Sequence, residues 1–166
     1  LENGLIPNVI IGDMDSTTID QNSFKGLYVK ISDQDNTDLD KALEWCKVNS
    51  LSPLTVLGTS QLREDHTIGN LILLANYSEE LDINFVTDYF TITCHHGKRS
   101  FTSFKQQLVS LLPVEDIKSI TTEGLEFPLI DELFPLSSRG ISNRATGHQF
   151  IISSSGKIWV FRSHSE

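Results

Sequence analysis

Cysteine is scarce in this chain: Cys46 and Cys94 are the only two in 166 residues. That is too few for a disulfide scaffold, and the pair lacks metal-ligand spacing. Positive charge is also short. Thirteen Lys and Arg stand against 22 Asp and Glu, a formal net charge of −9. A chain so acidic is not expected to bind long nucleic acid, where neutralising phosphates with cationic side chains supplies most of the affinity. Long hydrophobic runs are missing, with nothing near the roughly 18 apolar residues of a membrane helix. The opening Leu1-Glu2-Asn3-Gly4 has neither the basic start nor the apolar run of a signal peptide, so a reducing cytoplasm is the expected location. There is no internal repeat and no low-complexity stretch.

What remains is an ordinary globular composition, 39% hydrophobic and 21% charged, enough for one domain or two small ones. Val9-Ile10-Ile11 reads as a buried strand ending at Gly12, and Tyr28-Val29-Lys30-Ile31 as a second. Leu39, Ala42, Leu43 and Cys46 then fall on one helical face, with Thr37 at the N-cap and Asp40 three residues on. Leu54 to Leu57 is a strand stopped by Gly58. A helix from about Asp65 to Tyr77 should bury Ile68, Leu71, Ile72 and Ala75, and Ile83 to Val86 returns to strand. Strands alternating with helices predict a parallel sheet. After Thr87 the pattern becomes short alternating segments: Phe90-Ile92-Cys94, Gln107-Val109-Leu111, Phe150 to Ile152 and Ile158 to Phe161. Ser154-Ser155-Gly156 reads as the turn of a final hairpin. The expected fold class is α/β, with an N-terminal parallel α/β domain over residues 1–86 and a C-terminal β-sandwich over 87–166.

The acidity is unevenly placed. Asp13, Asp15, Asp20, Asp33, Asp35, Asp38 and Asp40 crowd one stretch. Asp13 and Asp15 end a strand two residues apart, where alternate residues share a face, so both carboxylates can approach one hard cation. Asp33 to Asp38 repeats the device and runs into a helix N-terminus, which attracts anions. Arg63-Glu64-Asp65-His66 adds a guanidinium shaped for phosphate and another possible metal carboxylate. Ligands of parallel α/β sheets bind at the carboxyl ends of the strands, so the three loops are expected to open on one edge. The pattern predicts magnesium-dependent chemistry on phosphate. His95-His96 before Gly97 fits a polar turn better than a metal site. Cys46, Trp45 and Trp159 fit packing, while Arg144 and His148 flank a candidate pocket segment.

Gly12 to Ser16, Asp33 to Asp38, Gly58 through Arg63-Glu64-Asp65-His66, and Asn70 resemble, in order, the motifs of thiamine pyrophosphokinases. Thr122-Glu123-Gly124-Leu125-Glu126-Phe127-Pro128-Leu129 and Gly140-Ile141-Ser142-Asn143 extend the resemblance over most of the chain. It implies an α/β catalytic domain followed by a β-sandwich, and a homodimer with the thiamine site at the subunit interface. The implied reaction transfers pyrophosphate from ATP to the thiamine hydroxyl, giving thiamine diphosphate and AMP. By the same resemblance Asp13, Asp15, Asp38 and Asp65 handle Mg2+ and the triphosphate. Asp35 lies close by, Arg63 clamps phosphate, and His66 and Asn70 complete the nucleotide side. Gln34, Phe127, Ser142 and Asn143 fall to thiamine.

Two departures follow. Gln61 stands where the family favours glycine. Members also begin with another strand and an Asp-Gly-Gly-type loop, so the chain is expected to be a fragment or to lack part of the nucleotide site. Two rival readings compete. Val9 to Thr17 also resembles the first motif of haloacid-dehalogenase-type phosphatases, with Asp13 as nucleophile and Asp15 as general acid. A non-catalytic module that binds thiamine or a nucleotide is the other.

Overall fold

The structure is a computed structural model, and it describes residues 5–13, 24–60 and 63–165. The described residues form two compact units, 1–51 and 52–166. The expected boundary near Thr87 falls inside the second of these.

In the first unit, strand β1 (Val9–Gly12) pairs in parallel with β2 (Leu27–Lys30) as a two-stranded sheet. Helix α1 (Asp38–Val48) follows. Its start obeys the capping expectation: Thr37 is extended, and its Oγ1 accepts from the Asp40 amide at 3.3 Å. Leu43 is fully buried, while Cys46 is half-buried rather than core.

The second unit opens with β3 (Leu54–Leu57), α2 (Glu64–Tyr77) and β4 (Ile83–Val86), and β3 and β4 pair in parallel. The sheet then turns antiparallel through β5 (Phe90–Thr102), β6 (Leu108–Pro113), β7 (Ile117–Glu123), β8 (Glu132–Phe134), β9 (Asn143–Arg144) and β10 (Gln149–Ser163). This mixed α/β chain, mostly sheet with two helices, agrees with the coarse expectation. No described helix is long and apolar enough to cross a membrane.

β10 is the hub. It pairs with β5 along nearly its whole length, with β7 through its first half and with β6 through its second. The expected hairpin at Ser154-Ser155-Gly156 is therefore wrong. One strand runs through it, with a register shift between Ser154 and Ile158. The Ser154 hydroxyl donates to the Gly156 carbonyl at 2.7 Å, which holds the bulge closed. β5 has a matching irregularity. Six residues of straight strand span about 20 Å, yet the His95 and Phe101 rings lie 5.8 Å apart. The strand must bend sharply, and Gly97, at φ +82°, supplies a conformation that other residues resist. His95-His96 is thus no turn between strands. His95 Nε2 donates to the Gly97 carbonyl at 2.8 Å, inside β5.

Bending folds β5 and β10 around one apolar core, where Val109, Ile120, Phe134, Ile152, Ile158 and Val160 are fully buried. Each such side chain contributes about 1.5–3 kcal/mol on burial. On α2 the expected apolar face is corrected. Leu74 and Ala75 are buried, but Ile68 and Ile72 remain 60% and 49% exposed. Apolar residues cover more than one side of this helix, and β10 selects the side. Trp159 Nε1 donates to the Leu71 carbonyl at 3.0 Å, and Lys157 Nζ to the Ala75 carbonyl at 3.1 Å.

Candidate functional site

In the first unit, Asp13 follows β1 and the acidic loop follows β2. The Ile31 amide donates to the Gly12 carbonyl at 2.9 Å, which ties the two loop origins together. A Cβ built on Gly12 would lie 3.3 to 3.4 Å from the Asp38 carboxylate, so Asp38 sits directly against the residue that precedes Asp13. Within the acidic loop the carboxylates divide by role. Asp33 accepts from the Asp35 amide at 2.8 Å and from Asn36 Nδ2 at 2.5 Å, and these bonds hold its carboxyl below the usual range. It shapes the turn. Gln34 and Asp35 are exposed on that turn. Asp15 lies outside the described residues.

Lys41 went unnoticed in the sequence. Its side chain is only 4% exposed, and its Nζ meets Asp38 Oδ1 at 3.2 Å, with Asp38 itself 60% exposed. A buried ammonium needs such a partner, and the contact fixes one edge of the Asp38 carboxylate. The i,i+3 spacing was the available signal.

In the second unit, Arg63 is the N-cap of α2 without a side-chain cap bond. Its guanidinium grips Asp65 through Nε at 3.1 Å and Nη2 at 2.5 Å. Asp65 Oδ1 also accepts the His66 amide at 2.9 Å. The Asp65 pKa falls to about 2, chiefly from the Arg63 hydrogen bonds and then from the His66 amide. Asp65 was expected as a metal ligand. In this structure both of its oxygens accept from Arg63, which fixes the direction of the guanidinium. Asn70 Nδ2 donates to the Thr59 carbonyl at 2.9 Å, bracing the loop after β3. His66 is exposed.

The Asp65 shift has a measurable sign. A carboxylate whose folded pKa is depressed contributes stability above its unfolded value, near 3.8, and loses it as pH falls toward about 2. Carboxyl NMR titration is expected to place Asp65 at about 2 and, in Arg63→Gln, back toward 3.8. An unmoved titration in that variant would show the pair to be absent in solution.

The residues expected to meet thiamine lie further along the second unit. Phe127 is 65% exposed. Asn143 is buried, its Oδ1 accepting the Phe127 amide at 3.1 Å and its Nδ2 donating to the Phe127 carbonyl at 2.7 Å. Asn143 therefore clamps the backbone that presents Phe127. Ser142 is exposed at φ +64°, its amide donating to Ser110 Oγ at 3.0 Å. It lines a pocket of about 240 Å³ with Ile141, Phe90 and Phe161. Gly140, two residues earlier, cannot be larger, since a Cβ there would overlap the Leu111 carbonyl oxygen and the Phe134 ring. Arg144 donates to the Gln106 carbonyl at 3.0 Å, a structural tie.

Among the described residues no group of three or more His, Cys, Asp or Glu side chains is gathered tightly enough to hold a metal. Asp13 and Asp38 nevertheless fit Mg2+ as it is usually held, by one or two carboxylates with water and substrate phosphate completing the shell.

The first unit carries acidic residues after parallel strands, and the second carries a guanidinium oriented at a helix start and an apolar pocket; side chains of these kinds suit phosphorylated ligands. "Thiamin pyrophosphokinase, catalytic domain" matches residues 1–86, and "Thiamin pyrophosphokinase, substrate-binding domain" matches residues 89–161. The chain belongs to the thiamin pyrophosphokinase family. The thiamine pyrophosphokinase of Bacillus subtilis is 28% identical over 138 residues, covering 78% of this chain and 64% of that protein. Thiamine pyrophosphokinase 2 of Arabidopsis thaliana is 31% identical over 145 residues, covering 78% and 54%. The chain thus spans less than two thirds of these curated relatives. The solved Bacillus subtilis structure superposes with a TM-score of 0.85 at 25% identity, covering 99% of this chain and 82% of that one. The Geobacillus thermodenitrificans structure gives 0.83 at 28% identity, covering 99% and 81%. A match to both family domains decides against the phosphatase reading.

Proposed function

We propose that the protein transfers pyrophosphate from ATP to the hydroxyl of thiamine, yielding thiamine diphosphate and AMP. The observation that carries this is the match of both family domains, in order, over nearly the whole chain. In this reading residues 1–86 are the α/β catalytic domain and 87–166 a β-sandwich that binds thiamine, in a cytoplasmic homodimer.

Asp13, Asp38 and Asp15 would hold Mg2+, which neutralises the triphosphate charge. Lys41 fixes the Asp38 carboxylate through one oxygen. Arg63, oriented by Asp65, meets the phosphate oxygens and stabilises the charge that develops on them. One carboxylate of the acidic loops takes the proton of the attacking primary alcohol. Asp35, His66 and Asn70 support the nucleotide side, and Gln34 the thiamine side. Phe127, held by Asn143, offers an aromatic face to a cationic ring, and Ser142 pairs with the pyrimidine. In the homodimer these last residues serve the partner's site.

The test is direct: purified protein with ATP, Mg2+ and thiamine should yield AMP and thiamine diphosphate in equal amounts by chromatography. Binding of both substrates without AMP formation would instead make this a binding module.

A further inference from the structure

In the second unit two arginines stand where the strand pattern calls for apolar side chains. Residues opposite one another in an antiparallel pair share a face of the sheet, and so do alternate residues of one strand. Arg162 follows Ile158 and Val160 on β10, and both of those are fully buried. Arg99 lies opposite the buried Ile152 of β10 and two residues before the buried Phe101 of β5. Both arginines therefore rise from the inner face of the bent strands. Neither is swallowed by the core: Arg99 is exposed and Arg162 half-buried.

They meet at one ring. The Cζ atoms of Arg99 and Arg162 lie 5.4 and 5.5 Å from the centroid of Phe101. Phe150 stacks on the same ring, with centroids 5.1 Å apart, and His95 approaches it edge-on. Little negative charge is placed against this pair. Arg162 forms no ion pair among the described residues, and its Nη1 donates only to the Thr102 carbonyl at a long 3.4 Å. Arg99 reaches Asp82 at 3.8 Å, with the two side chains 43% and 56% exposed, a contact that holds little. His95 adds no negative charge, and its Nε2 is spent on the Gly97 carbonyl. The Arg99 charge is close enough to be felt: burial, and then Arg99, pull the Arg162 guanidinium below its ordinary value. This chain has 22 acidic residues against 13 basic ones, so a carboxylate to neutralise the pair is plentiful in the sequence, yet none stands beside Arg162. Two like charges gathered at the margin of a core are costly, and an anion removes that cost.

We propose that Arg99 and Arg162 form a second anion site, one that does not use Arg63 and that takes a dianion of the phosphate class. Two planar guanidiniums, each with a fork of N–H donors, match a tetrahedral oxyanion that carries two charges. A lone carboxylate satisfies one fork and leaves the other charge unmatched. Arg162, packed at the edge of the core, supplies the fixed side of the site. Arg99, exposed and weakly held by Asp82, is the side that closes on the ion. The assignment is independent of the pyrophosphokinase reading, because its test is binding and needs no turnover.

Inorganic phosphate is titrated into the purified full chain at constant ionic strength and followed by phosphorus NMR. The parent is compared with Arg63→Ala, and Arg99→Gln, Arg162→Gln and Arg139→Gln are each built on Arg63→Ala, which removes the guanidinium proposed for the donor phosphates. Thermal midpoints are checked throughout. Arg63→Ala should still bind phosphate. Adding Arg99→Gln or Arg162→Gln should weaken that binding at least about tenfold, the scale of a hydrogen bond to a charged group. Arg139→Gln removes an exposed charge of the same unit and should change nothing. Should Arg162→Gln fail to fold, Arg99→Gln alone decides. Phenyl phosphate carries the same dianion on a larger body and should bind comparably, since the Arg99 side is open; its rejection would confine the site to the free ion. Unchanged phosphate binding in a folded Arg99→Gln variant would overturn the assignment. So would complete loss in Arg63→Ala, which would give all the phosphate to Arg63, or an equal loss in Arg139→Gln, which would reduce the effect to general charge. A parent that forms no thiamine diphosphate yet shows the expected phosphate pattern would sink the proposed reaction and leave this site standing.

Discussion

Asp13→Asn is expected to slow AMP formation from ATP and thiamine by at least about a hundredfold, the scale on which removal of a charge-stabilising group acts. Asparagine preserves the shape of the side chain and removes its charge. The loss should therefore appear in kcat, with the thermal midpoint close to that of the parent. Asp13 follows Gly12, where a built Cβ would lie 3.3 to 3.4 Å from the Asp38 carboxylate, so the backbone that leads into Asp13 runs beside Asp38. Full activity in Asp13→Asn would remove the residue from the reaction. The same variant probes the assembly. If Ser142 serves the partner's site, mixing Asp13→Asn chains with Ser142→Ala chains should restore one intact site in each heterodimer. Verified heterodimers as inactive as either parent variant would place the whole site within one chain.

Arg63→Ala should cost roughly a hundredfold in kcat, and Arg63→Lys should recover only a small part of it. Lysine restores the charge but not the planar fork that reads two oxygens at once. The structure supplies the reason to expect a geometric effect. Arg63 is already held through two of its nitrogens by Asp65, a pre-orientation that lysine cannot copy. Thiamine binding measured without magnesium should be the same in all three proteins. If Arg63→Lys turns over like the parent, the pair with Asp65 is only a solvated surface contact, worth little in any case.

Local signals carried the N-terminal half. The caps and periodicity of α1, the glycines that end β1 and follow β3, and the acidic loop after β2 could all be read directly, because each depends on neighbours within a few residues. Long-range choices could not. Gly97 and Gly156 read as turn glycines, yet they permit a bend and a bulge in strands that continue. Only the partner strands decide between those outcomes. β7 and β8 passed unread for a similar reason: Ile117 and Ile120 are separated by lysine and serine, and their pairing with residues 132–134 depends on distant segments. Lys41 reads as a surface residue of α1 until its burial against Asp38 is seen. Asn143 belonged to a motif that resembles a thiamine contact, but its amide spends its bonds on the Phe127 backbone. Asp65 and Arg63 were both legible, though not their grip on each other.

The central place of β10 has a consequence for how the polypeptide acquires its structure. β5, β6 and β7 are all hydrogen-bonded to residues 149–163, so none of them can complete its pairing before that segment has left the ribosome. Contacts so distant in sequence must repay a large loop-closure entropy before they add stability, which makes for slow, late and concerted closure. Until then the apolar strands of the second unit stand with open edges, the state in which chains most readily associate wrongly. Pulse-labelling hydrogen exchange during refolding should show amides of β5, β6, β7 and β10 gaining protection in one phase. Early protection of β5 and β6 without β10 would show that another partner holds them first.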